Sequence, residues 1–213
     1  MWGNIQAMRV AEIFYSISGE GQSSGLPSTF IRFAGCNFSE EGHSCSYCDS
    51  PQAWHKSQGK IMAEGEILDE ISQHKGKHVI LTGGEPLFQD IMILTACLRD
   101  RGYILELETN GSIIIPTYFR GTVSLDIKCP SSGNSDYNKY ENLGKVFKKD
   151  QVKFICQDRQ DFNFALGILG EYPTSAQIYF QSVWNKLDPK ELSEWISYPH
   201  RLSLQIHKVL GVK

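Results

Sequence analysis

No excess of positive charge marks this chain. Its 213 residues carry 21 Lys and Arg against 24 Asp and Glu, a formal net charge of −3. A broad cationic surface for nucleic acid or anionic membrane is therefore excluded, and no basic stripe with interleaved aromatics argues for direct RNA binding. Long apolar runs are also missing. The longest, Ile91–Leu98, is broken by Thr95 and falls far short of the ~20 residues that cross a bilayer. Met1–Val10 lacks a charged start followed by an apolar stretch, so no leader is expected and the expected location is cytoplasmic. Repeats and low-complexity tracts are absent. In such a compartment the 6 cysteines are poor disulfide partners and better thiolate ligands.

What is present is ordinary globular material. Apolar residues make up 41% and charged residues 21%, enough for one domain over residues 1–213 with a full core. Runs rich in β-branched and aromatic residues predict strands at Val10–Ser16, Phe30–Ala34, Val79–Thr82, Ile104–Glu108, Val123–Ile127, Val152–Ile155, Ile178–Gln181 and Leu202–Ile206. They read as nearly continuous apolar runs, as strands covered on both faces do. Helices are expected at Met62–His74 and at Asp90–Arg101, the latter ending on Gly102. The last helix is expected after Asp188, with Pro189 at its first position and Leu192, Trp195 and Ile196 as its buried stripe. Alternating strands and helices predict an α/β fold with a parallel sheet. The length admits about six βα units, so a partial, open β/α barrel is expected, with its site at the C-terminal ends of the strands. Two long segments interrupt the pattern: a loop at about 36–60, and a polar stretch at about 129–145 expected as an exposed insertion.

Three of the cysteines crowd together. Cys36, Cys45 and Cys48 follow the strand at Phe30–Ala34 with the spacing C-x8-C-x2-C, which can place three thiolates on one metal centre and leave a fourth position open. An iron–sulfur cluster with one iron lacking a protein ligand fits this set; so does structural zinc with His43 as fourth ligand. Cys97, Cys129 and Cys156 read as ordinary thiols, Cys97 in a helix core. A second motif is Thr82-Gly83-Gly84-Glu85-Pro86 at the end of an apolar strand. Its glycines would admit a ligand close to the backbone, and an exposed Glu85 carboxylate would receive an ammonium group; an ordinary strand-to-helix turn is the alternative.

Together these motifs resemble the radical S-adenosylmethionine (SAM) superfamily. There three cysteines hold a 4Fe-4S cluster, the open iron binds SAM, and an electron from the cluster yields a 5′-deoxyadenosyl radical that takes hydrogen from the substrate. Most members have three residues between the first two cysteines. Extending that loop to eight costs only about 0.9 kcal/mol of closure entropy. Further stretches resemble one family within the superfamily, the 7-carboxy-7-deazaguanine synthases: Ile17-Ser18-Gly19-Glu20, Arg32 before Cys36, Cys48-Asp49-Ser50, Asp126-Ile127-Lys128, and the tail from Leu204 to Lys213.

That resemblance implies contraction of 6-carboxy-5,6,7,8-tetrahydropterin to 7-carboxy-7-deazaguanine with loss of ammonia, in 7-deazapurine (queuosine-type) biosynthesis. It also implies a homodimer, Mg²⁺, and an external electron donor such as a flavodoxin or ferredoxin. Residue by residue, Ile17, Ser18, Gly19, Glu20, Arg32, Thr82 and the terminal carboxylate of Lys213 match substrate contacts. Ser50 matches the magnesium ligand, where the family usually has Thr. Gly84 and Glu85, Asp126 to Lys128, and Gln181, Ser182, Val183 and Trp184 match SAM contacts. Alternatives stand beside several of these: a structural salt bridge for Arg32, a surface turn acid for Glu20, core packing for Trp184, and a structural role for His207. For the whole chain the alternatives are a radical SAM activase of a protein partner and a zinc-stabilised binding module.

Overall fold

The computed structural model describes residues 7–213; residues 1–6, with the start of the stretch read for a leader, lie outside the described residues. Nine strands form one sheet: β1 (Ala7–Ile17), β2 (Pro27–Phe33), β3 (Lys60–Ala63), β4 (His78–Gly83), β5 (Ile104–Thr109), β6 (Thr122–Ile127), β7 (Gln151–Cys156), β8 (Gln177–Ser182) and β9 (Arg201–Ser203). Their order across the sheet is β3-β1-β2-β4-β5-β6-β7-β8-β9. β1 runs antiparallel to both β2 and β3. Every pair from β2 to β9 is parallel, and β3 and β9 remain as unjoined edges, so the barrel is open as expected.

The helices are α1 (Asn37–Glu40), α2 (Glu64–Ser72), α3 (Met92–Asp100), α4 (Arg159–Glu171), α5 (Pro189–Trp195) and α6 (Ile206–Leu210). Local chemistry sets their ends. Glu66 reaches back to accept from the Ala63 amide at 2.7 Å, so α2 starts at Glu64 and the residues before it are released to form β3, a strand absent from the sequence reading. Asp90 accepts from the Met92 amide, and Gly102 turns left-handed at φ 78° just past α3. Asp188 caps α5 through the Lys190 amide at 2.8 Å. α4, also unforeseen, is capped by Asp158 on the Asp161 amide. It buries Phe162, Ala165 and Ile168 on one stripe. The final expected strand is shorter than Leu202–Ile206: it ends at Ser203, and Ile206 starts α6.

The strands are not covered by apolar residues on both faces. One face carries Ile31, Phe33, Val79, Leu81, Leu105, Leu107, Leu125, Val152, Phe154 and Phe180, all in a single core with the helices. On the other face Arg32, Thr82, Glu108, Asp126, Lys153 and Gln181 line a cavity. Period-two alternation is thus present, hidden by the β-branched residues among the polar ones.

Two crossovers, β5 to β6 and β6 to β7, contain no α-helix. The second includes residues 129–145, which are only partly exposed: Cys129, Ser132, Asn134, Asn138, Asn142 and Leu143 are buried between exposed neighbours. Buried asparagines satisfy the backbone there in place of helical hydrogen bonds. Asn138 exchanges bonds with the amide and carbonyl of Lys128 at 2.9 and 2.8 Å, and Asn142 accepts from the Ile115 amide while donating to the Ile113 carbonyl. Asp161 of α4 accepts from the Ser131 amide.

Candidate active site

A cavity of about 800 Å³ opens at the C-terminal ends of the parallel strands. Cys36, Cys45 and Cys48 all line it. The loop bearing them is long but tied down. The Gly35 and Cys36 amides donate to the Ala53 and Trp54 carbonyls, the Ser46 amide to Ser132, and Cys48 closes a turn on Cys45. Each sulfur meets N–H groups: Trp54 Nε1 donates to Cys48 Sγ at 3.0 Å, Asn134 Nδ2 to Cys45 Sγ at 3.4 Å and Asn110 Nδ2 to Cys36 Sγ at 3.8 Å. The Phe38 and Ser39 amides also bond the Cys36 thiol.

Three observations bear on what such a set holds. Burial pushes the Cys36 and Cys45 thiols up, so thiolates here require a cationic partner. Among the described residues, the set of three Cys, His, Asp or Glu ligand atoms lying within 4.8 Å of one another is Glu20, Asp49 and His207, and the cysteines form no such set. A tetrahedral zinc with ~2.3 Å bonds draws its thiolates to about 3.8 Å, whereas a cluster takes each sulfur on a different iron. His43 is engaged elsewhere: Nε2 lies 3.1 Å from the Tyr137 hydroxyl and 3.3 Å from Glu41, and the ring stacks on Tyr137. The residues fit an iron–sulfur cluster, and zinc with His43 is not supported.

The Gly-Gly motif corrects the sequence reading in two ways. A Cβ on Gly83, whose φ is 119°, would meet the Phe33 carbonyl oxygen at 2.2 Å, and one on Gly84 would meet the Gly35 oxygen at 2.3 Å. The chain's own backbone therefore requires these glycines, although both also line the cavity. Glu85 is not an exposed carboxylate. It is fully buried and accepts from the Leu87 amide at 2.9 Å, the Asn110 amide at 2.7 Å and the Thr109 hydroxyl at 3.0 Å, clamping the end of β4 to that of β5. Burial pushes its carboxyl up to about 7 despite these donors.

The polar face forms an ion network beneath the cavity. Lys153 Nζ lies 2.7 Å from Glu20 and 3.4 Å from Asp126, and Lys128 Nζ lies 3.4 Å from Asp126. Burial alone would raise the Glu20 carboxyl, but Lys153 overrides it and holds Glu20 down at about 2. Gln181 and Gln205 also donate to Glu20, which is therefore no surface turn acid. Glu108 accepts from Thr82 at 2.5 Å; burial outweighs Lys153 and pushes its carboxyl up to about 7. Arg32 pairs with Glu12 at 2.8 Å, donates to Ser50 at 3.0 Å and lines the cavity. The structural salt bridge is thus present without removing Arg32 from the site.

The tail closes one side. The Ile206 amide bonds the Gly19 carbonyl, the His207 ring packs where a Gly19 side chain would be, Lys208 pairs with Asp49 at 2.9 Å, and Ser16 Oγ donates to the Lys213 carbonyl at 2.7 Å. Trp184, 42% exposed, stands at the rim with Lys208 over its ring; it is not core packing.

Most residues singled out from the sequence therefore share one cavity: Ile17 to Glu20, Arg32, the three cysteines, Ser50, Thr82, Gly84, Asp126, Lys128, Gln181 to Trp184 and Lys213. Glu85 and Ile127 do not line it; Ile127 is in the core. Sequence reasoning missed Glu108, Asn110, Lys153, Gln205 and Lys208, and set His207 aside. Polar residues alternating with apolar ones on adjacent strands are the signal that marks Glu108 and Lys153.

Residues 30–127 match the radical SAM superfamily. The chain is similar to 7-carboxy-7-deazaguanine synthase of Methanospirillum hungatei, with 34% identity over 96% of this chain and 86% of that one. It is similar to the protein of the same name from Clostridium acetobutylicum, with 36% identity over 95% of each. Among solved structures, QueE from Escherichia coli shares the fold with a TM-score of 0.74 at 21% identity, covering 93% of this chain and 94% of that one.

Proposed function

The chain belongs to the 7-carboxy-7-deazaguanine synthase family, and we infer that it is a radical SAM lyase that contracts 6-carboxy-5,6,7,8-tetrahydropterin to 7-carboxy-7-deazaguanine with loss of ammonia. The observation that carries this reading is one cavity shared by three unpaired cysteines and a buried, ion-paired wall sized for a small polar substrate. When bound, the 4Fe-4S cluster and SAM supply the radical that removes a hydrogen.

The chain's part is to hold and orient. Cys36, Cys45 and Cys48 would each hold one iron of the cluster. Gly84, Asp126 and Lys128 at the end of β6, and Gln181 to Trp184 would surround SAM. Ile17 to Glu20, Arg32, Thr82 and Lys213 frame the pterin: the Glu20 carboxylate, ionised by Lys153, accepts from the aminopyrimidine, and the Arg32 guanidinium meets the substrate carboxylate. Ser50, beside the Asp49 carboxylate, would offer a hard oxygen donor to Mg²⁺, which would supply positive charge near the substrate carboxylate. A single domain over residues 1–213, a homodimer, and reduction by a flavodoxin or ferredoxin complete the reading.

Anaerobically reconstituted protein given the carboxypterin, SAM, Mg²⁺ and dithionite should form 7-carboxy-7-deazaguanine and release ammonia. Cleavage of SAM without that product would contradict the assignment.

A further inference from the structure

Three side-chain N–H groups aim at the three cysteine sulfurs, and each comes from a different part of the chain. Trp54 closes the short turn Pro51–Ala53. Asn110 follows β5. Asn134 lies in the crossover from β6 to β7, which has no α-helix, and is distant in sequence from the sulfur it meets. The Trp54 contact is the shortest, at 3.0 Å. Asn134 is 1% exposed, and its Oδ1 is buried without a hydrogen-bond partner among the described residues. An unsatisfied buried oxygen destabilises a fold, so packing alone does not explain an asparagine there; its amide nitrogen, 3.4 Å from both Cys45 Sγ and the Ser132 carbonyl, ties the crossover to the sulfur.

We propose that Trp54 and Asn134 are positioning residues that set the reduction potential of the cluster by hydrogen-bonding the Cys48 and Cys45 sulfurs. One-electron reduction places additional negative charge on the cluster and its thiolates. An N–H dipole pointed at a sulfur stabilises the reduced form more than the oxidised one, and a partly buried site of low dielectric strengthens the effect. These donors therefore raise the potential and ease electron delivery. Trp54 contributes most, by distance.

The inference rests on the family reading of the three-cysteine site. Its test is a redox titration of the reconstituted protein without SAM or substrate, with iron and sulfide measured on the same samples, so that failure to build any cluster is read separately from failure of the tuning. Trp54→Phe keeps the ring in place and deletes the N–H. Its midpoint is expected to fall by roughly tenfold in the reduced-to-oxidised ratio, about 59 mV for a one-electron couple. Asn134→Ala is expected to lower it by less. If Trp54→Phe does not hold a full cluster, Asn134→Ala is read in its place. An unchanged midpoint at full iron content overturns the proposal, since a purely structural contact would alter stability and leave the potential alone. Loss of the cluster from both variants overturns it too, because bonds that tune a potential do not decide whether a cluster is held.

Discussion

At the end of β4 a carboxylate that a linear reading directs toward a ligand turns inward and gathers the Leu87 and Asn110 amides and the Thr109 hydroxyl. Glu85 is a clamp, and its removal leaves buried donors unpaired. Glu85→Ala should therefore lower the unfolding free energy by about 3 kcal/mol, at roughly 1–3 kcal/mol for each buried unsatisfied group. Chemical denaturation measures this. Wild-type stability together with weakened SAM binding would return Glu85 to the role of ligand contact. The direction of that side chain was not legible because it depends on the left-handed turn at Gly83, which a tetrapeptide does not encode alone. Arg32 was legible as a site candidate, since a charged residue beside apolar strand residues needs a partner; Glu20 was marked by the family resemblance. Lys153 was not, because its partners Glu20 and Asp126 come from distant stretches of sequence.

At the scale of elements, β2 and β4 approach so closely beyond their paired residues that only glycine fits. A Cβ at Gly84 would meet the backbone oxygens of both Gly35 and Ala53, neither of which can rotate away. Gly84→Ala should cost about 2–3 kcal/mol as an overpacked variant. Because Gly35 precedes Cys36, it should also reduce the iron held per chain. A thermal melt with iron analysis checks both, and an unaltered melt with full iron would contradict the packing argument. Elements with a chemical start and stop were legible: α3 between Asp90 and Gly102, and α5 after Asp188-Pro189. β3 was not, since its residues also suit the first turn of α2, and the hydrogen bond from Ala63 to Glu66 decides between them. The polar stretch after β6 misled for a physical reason. Asparagine and serine mark exposed loops when they face water, but here their amides replace a helix in satisfying buried backbone.

Over the whole molecule, one open nine-stranded sheet separates two environments. Its helix-covered face is a continuous apolar core; its other face carries an ion network that opens into the cavity. Among the described residues no helix is long and apolar enough to cross a membrane. The parallel order from β2 to β9, the open edges and the placing of the site at the strand C-termini follow from alternation and length; the antiparallel pairing of β1 with β2 and β3 departs from the expected parallel sheet. The internal charge network does not, because Glu20, Lys153, Asp126 and Lys128 meet only after β1, β6 and β7 assemble. Radical chemistry in this cavity depends most on three cysteine sulfurs leaving one iron of a cluster open to SAM. Electron paramagnetic resonance of the anaerobically reduced protein, recorded before and after SAM is added, tests this directly. A reduced 4Fe-4S signal whose g values move on addition of SAM is the expected result. A signal indifferent to SAM, or protein that takes up zinc and no iron, would contradict it.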